Sequence, residues 1–143
     1  MKEYFMKEAV REAIKAKNIE EIPVGAVIVY NNKIIARAYN KKEKLQNSLM
    51  HAELIAINKA CKKLNSWRLN DCEIYVTLEP CNMCMAAIIE SRIGKIYYGI
   101  DNFKTHSINN EMLKETKINI ESGILESKCK NVLNDFFKNM RGK

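Results

Sequence analysis

No stretch of this chain approaches the roughly 18 consecutive apolar residues that a membrane-spanning helix needs, so no membrane association is expected. The first residues also lack the charged, apolar and small-residue succession of a secretion signal, and the expected compartment is the cytoplasm. Cysteine occurs five times, an odd count. A disulfide framework in a small secreted chain favours even numbers. Cys61, Cys72 and Cys129 are widely scattered and read as small core residues, whereas Cys81 and Cys84 are close enough to share chemistry. Histidine is scarce, with only His51 and His106. Internal repeats and low-complexity linkers are absent as well. At 143 residues there is room for one real core but not for two, and residues 1–143 are expected to form a single domain.

What is present fits a soluble globular class: 47% of residues are apolar and 29% charged. The net charge is +7 and the isoelectric point about 9.1. Positive residues gather in Lys33 to Lys44 and again in Lys128 to Lys143. Such clusters suit a polyanion such as nucleic acid. An ordinary solvated, lysine-rich surface accounts for them equally well.

Periodicity supplies a coarse order of elements. Phe5, Met6, Ala9, Val10, Ala13 and Ile14 recur at the three-and-four spacing of one helix face. After Pro23 and Gly25, Val24 to Tyr30 reads as a buried strand. Asn31-Asn32 makes a tight turn, because asparagine tolerates positive φ, and Lys33 to Tyr39 returns as the second arm of a hairpin. Asn40 to Met50 is polar and reads as a loop. From His51 the period becomes helical, with Leu54, Ile57, Cys61 and Leu64 on one apolar face. Glu73 to Leu78 is a short strand. Cys81 to Ser91 is a helix with Met85, Ile88 and Ile89 on its apolar side, and Ile93 to Ile100 is another strand. Residues 101 to 117 look irregular and polar. Ile118 to Ile120 is a candidate last strand, and Glu126 to Met140 a helix with Val132, Leu133, Phe136 and Phe137 facing inward. Strands alternating with helices favour a mixed or parallel sheet covered on both faces, an α/β fold.

Two fragments carry chemistry. Met50-His51-Ala52-Glu53 opens a helix, and Leu78-Glu79-Pro80-Cys81-Asn82-Met83-Cys84 lies where a strand passes into a helix. One imidazole and two thiolates are three ligands for tetrahedral zinc, and a catalytic site leaves the fourth position to water. A helix amino terminus favours thiolate over thiol. Glu53, two residues beyond His51, need not be a ligand. It is placed as a general acid and base, moving protons from an attacking water to a ring nitrogen and a leaving amine. His-x-Glu followed by Pro-Cys-x-x-Cys is the recognised pattern of zinc nucleobase deaminases, and this reading applies known chemistry. Two other readings are a redox Cys-x-x-Cys and a structural zinc site, with His106 as its fourth protein ligand.

With these residues in view, the chain resembles the bacterial tRNA-specific adenosine deaminases of the cytidine deaminase superfamily. The likeness runs through Ile22-Pro23-Val24-Gly25-Ala26-Val27, then Asn40 at eleven positions before His51, then Ser66-Trp67-Arg68-Leu69. It continues in Tyr75-Val76-Thr77-Leu78-Glu79-Pro80-Cys81, Ser91-Arg92-Ile93-Gly94-Lys95 and Phe136-Phe137-Lys138-Asn139-Met140-Arg141. The resemblance implies a three-layer α/β/α fold with a five-stranded mixed sheet, one Zn²⁺ per chain, and a homodimer. It also implies conversion of adenosine to inosine at the wobble position of a tRNA anticodon. Asn40 would then hydrogen-bond the flipped base, and backbone N–H groups near Ala52 and Cys81 would meet its ring or the attacking oxygen. Val24 would wall the pocket, and the basic last helix, with Phe137 and Arg141, would lie along the anticodon stem-loop. Trp67 reads as core or dimer packing, and Glu79 as a structural hydrogen-bonding group near the site.

The chain departs from that family in three places. Leu49-Met50 replaces the usual Thr-Ala before His-Ala-Glu. Residues 103–117 lack the Gly- and Ser-rich stretch ending in Ser-Leu-Met. Asn102 takes a place where aspartate is common. These departures motivate one alternative, deamination of a free nucleobase or nucleoside, or of cytosine or guanine; a second alternative, of another class, is a zinc-stabilised RNA-binding protein without catalysis.

Overall fold

The β-branched run after Gly25 becomes a central strand because both of its faces find apolar cover. In the computed structural model, which describes residues 1–102 and 116–141, that strand is β1 (Gly25–Tyr30), preceded by helix α1 (Lys2–Asn18). Asn31 and Asn32, with φ of 51° and 60°, turn the chain through the left-handed region as a tight hairpin requires. Strand β2 (Lys33–Tyr39) follows, then helix α2 (Ala52–Leu64), β3 (Cys72–Leu78), α3 (Asn82–Glu90), β4 (Lys95–Ile100), β5 (Asn119–Glu121) and α4 (Glu126–Arg141).

The five strands lie in the order β2-β1-β3-β4-β5. β1 is antiparallel to β2 and β3, and β3, β4 and β5 run parallel. The sheet is therefore mixed, as expected. Helix α3 joins two parallel neighbours, a connection that a tight turn cannot make.

Strand periodicity of two sorts the side chains into two layers. Ala26, Ile28, Ile74, Val76, Ile96 and Tyr98 face one side, where Ala52, Ala56 and Ala60 of α2 and Met85 and Ile88 of α3 cover them. Val27, Val29, Tyr75 and Tyr97 face the other, against Phe5, Met6, Ala9 and Val10 of α1 and Cys129 of α4. The result is the three-layer α/β/α arrangement. Helix α1 sits so close to β1 that a Cβ at Gly25 would overlap the Ala9 carbonyl oxygen and the Ala13 nitrogen. Cys72 and Cys129 are buried and Cys61 is half-buried, all unpaired.

Several expectations need correction. Ile14 is 39% exposed, while Glu8 and Glu12 occupy the buried side of α1. Glu8 does so by pairing with Arg37 and Arg11, and Glu12 by pairing with Lys15. On α2 the fully buried stripe is Ala52, Glu53, Ala56 and Ala60, and Leu54, Ile57, Cys61 and Leu64 flank it half-buried. The small alanines let this helix approach the sheet closely, and the larger residues splay to the side. Trp67 is 53% exposed, so it does not pack in the core of this chain. Its ring instead lies against the Arg68 and Arg92 guanidiniums. On α4, Cys129 and Phe136 are buried, whereas Val132 and Leu133 are half-buried and Phe137 is exposed. The last strand begins one residue later than expected, and Ile93 and Gly94 precede β4. His106 and most of the segment expected to be irregular lie outside the described residues.

Candidate active site

Two helix starts and two strand ends meet on one side of the sheet. His51 is the residue before the first turn of α2, with extended φ and ψ of −78° and 150°. Cys81 holds the same position before α3, with φ and ψ of −69° and 172°, and Cys84 follows in the first turn of that helix. Neither His51 nor Cys81 turns its side chain back to cap its own helix. Both remain free to converge instead. His51 Nδ1 lies 3.8 Å from Cys81 Sγ and 3.6 Å from Cys84 Sγ.

These separations test whether a metal fits. An ion bonding sulfur at about 2.3 Å and imidazole nitrogen at about 2.0–2.1 Å in tetrahedral geometry sets the two ligand atoms about 3.5–3.6 Å apart. The observed distances lie close to that edge length, and all three donor atoms fall within 4.8 Å of one another. The cluster also gathers negative charge. Hydrogen bonds from the Cys84 thiol and the His51 ring pull the Cys81 thiol down to about 4 against the opposing effect of burial. Cys84, as donor to Cys81 and deeply buried, is pushed up, and the bond to Cys81 raises His51. The trio therefore shares protons around one sulfur, and a cation satisfies the same donors in their place.

Glu53 is buried in the first turn of α2, at 3% exposure. Burial pushes its carboxyl up to about 7. Its Oε1 has no hydrogen-bond partner among the described residues. An orphaned buried oxygen beside three converging side chains that could hold a metal is a polar group waiting for a ligand.

The site opens into a cavity of about 370 Å³ lined by His51, Glu53 and Cys81 together with Ile22, Val24, Asn40, Leu78, Glu79, Asp101, Asn102, Leu133 and Phe137. It lies beyond the carboxyl ends of β3 and β4, the usual place for a ligand on parallel strands. The Glu79 N–H donates to the Ile100 carbonyl at 2.9 Å, and Glu79 Oε1 accepts the Asn102 N–H at 2.9 Å. The segment that leads to Cys81 is thereby fastened to the exit of β4. The Tyr98 hydroxyl donates to Asp101 Oδ1 at 2.9 Å and fixes that carboxylate at the rim.

Of the residues singled out in the sequence, His51, Glu53, Cys81, Asn40, Val24, Asn102 and Phe137 line this cavity, and Cys84 lies against His51 behind it. Two do not meet it. Arg141, near the exposed end of α4, is not among the lining residues. Ala52 is fully buried, and its N–H donates to Asn40 Oδ1 at 2.8 Å, so the backbone donor expected to face a base is committed to the protein. Asn40, which lines the cavity, in turn gives one Nδ2 hydrogen to the Ile22 carbonyl at 3.1 Å, and its amide has a second to donate. Sequence reasoning missed Ile22, Asp101 and Leu133. Asp101 directly after a strand of the parallel set was the one available signal.

Comparison with known proteins agrees with this geometry. Residues 1–141 match the model of the MafB19-like deaminase family. A tRNA-specific adenosine deaminase of Bacillus subtilis is 44% identical over 99% of this chain and 91% of its own length. A solved structure from work on A-to-I editing by tRNA:A34 deaminases at the wobble position is 36% identical, with a TM-score of 0.86 over 91% of this chain and 99% of its own. A guanine deaminase of Bacillus subtilis is 40% identical, with a TM-score of 0.67 over 71% of this chain and 65% of its own. On the extent of these matches, the chain belongs to the MafB19-like deaminase family, among its bacterial tRNA-specific adenosine deaminases.

Proposed function

We propose that this protein hydrolyses the exocyclic amine of adenosine at the wobble position of a tRNA anticodon, leaving inosine and ammonia. The observation that carries the reading is the placement of Glu53 Oε1, buried and unpartnered among the described residues, beside an imidazole and two thiols at metal-ligand spacing. His51 Nδ1 and the sulfurs of Cys81 and Cys84 are the proposed holders of one zinc ion per chain. Bound there, zinc makes hydroxide available from water near neutral pH.

The chain's own residues do the rest. The purine enters the cavity from an unstacked loop, against Val24, Ile22 and Leu78. The second Nδ2 hydrogen of Asn40 is directed to an acceptor on the base. Water oxygen bonds to the ring carbon that bears the amine. Glu53 takes the proton that the water releases and gives it to the adjacent ring nitrogen. It then transfers the remaining water proton to the amine. The carbon–nitrogen bond breaks, ammonia leaves, and a carbonyl remains. Among the side chains that line the cavity, Glu53 is the proposed proton carrier.

Exposed Lys42 and Lys44, with half-buried Lys41, on one side, and exposed Lys128, Lys130, Lys138 and Arg141 of α4 on the other, are the proposed phosphate contacts. Phe137, exposed at the cavity mouth, is the proposed stacking surface for a neighbouring base. A homodimer is proposed on the half-buried stripe of Leu54, Ile57, Cys61 and Leu64 and the exposed Trp67 beside it, whose carbonyl lies 4.0 Å from Cys61 Sγ. As no helix among the described residues is long and apolar enough to cross a membrane, nothing conflicts with the proposed cytoplasmic site of action.

Zinc-loaded protein is expected to convert wobble adenosine to inosine in tRNA, read by sequencing. A second reading, deamination of a free purine, is favoured by the likeness to guanine deaminase. Ammonia release from guanine or adenine in the absence of RNA supports that alternative. A steep fall of substrate affinity with salt contradicts it, because a free base has no phosphates.

A further inference from the structure

Residues 41–50 form a loop between the wall of the cavity and the first metal donor. Its neck is closed by the Lys41 N–H to the Met50 carbonyl at 3.0 Å, and one internal turn by the Leu45 N–H to the Lys41 carbonyl at 2.9 Å. From Lys42 to Leu49 every side chain is exposed, so apolar packing does not hold this loop down. Hydrogen bonds do, and two of them run to a single distant group. Glu21 Oε1 accepts the Glu43 N–H at 3.1 Å and Oε2 the Lys44 N–H at 2.7 Å.

Glu21 is itself 2% exposed, and among the described residues it forms no ion pair. A buried carboxylate is costly unless hydrogen-bonded, and two backbone donors to its charged oxygens are a strong arrangement. The donors belong to the opening turn of the loop, so Glu21 caps that turn from outside, as a side-chain acceptor caps the free N–H groups at a helix start. Its own N–H donates to the Ala16 carbonyl at 2.9 Å, which fastens the clamp to the end of α1. The next residue, Ile22, lines the cavity and accepts from Asn40.

We propose that Glu21 is a positioning residue for substrate: its carboxylate holds the lysine-bearing 41–49 loop where Lys42 and Lys44 meet the phosphates of a nucleic-acid strand whose base enters the cavity. The inference deepens the proposed function and rests on it for the identity of the strand. Glutamine at this position keeps the shape but leaves one acceptor where two are needed, and its amide hydrogens confront a backbone N–H. Aspartate keeps both acceptors and the charge on a shorter arm.

The test compares zinc-loaded wild type, Glu21→Gln and Glu21→Asp on a short anticodon stem-loop RNA with adenosine at the wobble position, alongside hydrogen exchange of backbone amides. For Glu21→Gln, KM is expected to rise about 5- to 30-fold, the effect of one weakened charge-assisted bond. kcat stays within about two-fold and bound zinc is unchanged. Faster exchange is expected at Glu43 and Lys44 and to stay within the loop, with Glu21→Asp recovering most of both changes. Unchanged KM and exchange overturn the proposal. A fall in kcat with loss of zinc, or global unfolding of Glu21→Gln, also overturns it, because the effect then is not confined to the loop. If wild type makes no inosine, the substrate reading fails, and the exchange pattern alone decides whether Glu21 holds the loop.

Discussion

At Glu53 a carboxylate oxygen is buried without a partner among the described residues, an arrangement that costs about 1–3 kcal/mol unless a ligand relieves it. Sites that keep such a cost are where stability has been given up for chemistry. Replacing Glu53 with glutamine keeps the volume and removes the charge. Activity is expected to fall about 10²- to 10⁴-fold, the usual scale for loss of a general acid and base, while bound zinc and melting temperature stay level or the latter rises. Metal analysis and calorimetry on the same preparation read this out. Loss of zinc together with activity assigns Glu53 to the metal and contradicts the proton-carrier role. The convergence of His51, Cys81 and Cys84, the proposed metal donors, was legible at this scale because chain spacing alone puts a Cys-x-x-Cys pair on one helix start. Glu21 was not, since its partners are backbone N–H groups, which every residue type offers alike.

Among the elements, the hairpin was readable from Asn31-Asn32, whose φ values of 51° and 60° few other residues accept without strain. The buried face of α2 was misread for a physical reason. Leu54, Ile57, Cys61 and Leu64 mark an apolar stripe, but close approach to the sheet selects Ala52, Ala56 and Ala60, whose small size is their function. Helix α1 hid its own exception in Glu8. The hydrogen bond from Arg37 on β2, at 2.7 Å, and the pairing with Arg11 hold that carboxyl below its ordinary value of 4.5 although burial opposes them. A lowered folded-state value means that the unfolded chain binds the proton more readily. The stabilisation is full above about 4.5 and is lost as pH falls through the folded value. Denaturation followed from about pH 7 to about pH 3 is expected to show wild type losing its advantage over Glu8→Gln in that acidic interval. Parallel curves for the two proteins contradict the pairing of α1 with β2.

On the scale of the whole molecule, a stripe left half-covered by the chain itself points outward. Trp67 is 53% exposed, next to the flank of α2, and a large aromatic ring with two guanidiniums against it is the usual composition of a contact centre. If the proposed dimer forms, Ile57→Glu converts it to monomers in sedimentation, since a charge there is desolvated without a partner. A wild-type protein that sediments as a monomer at micromolar concentration removes the dimer from the account. The same scale explains why substrate was less legible than chemistry. Three ligands and a carboxylate specify a reaction, whereas a substrate is chosen by a rim of charges whose sequence pattern equals that of any solvated surface.

The proposed role of the His51, Cys81, Cys84 and Glu53 constellation is to turn adenosine to inosine in tRNA. Incubation of metal-analysed protein with a tRNA bearing wobble adenosine, followed by sequencing, tests it most directly. About one zinc per chain and inosine at that position alone are expected, both abolished by chelation and restored by zinc. Unaltered adenosine after incubation with fully zinc-loaded protein contradicts the account.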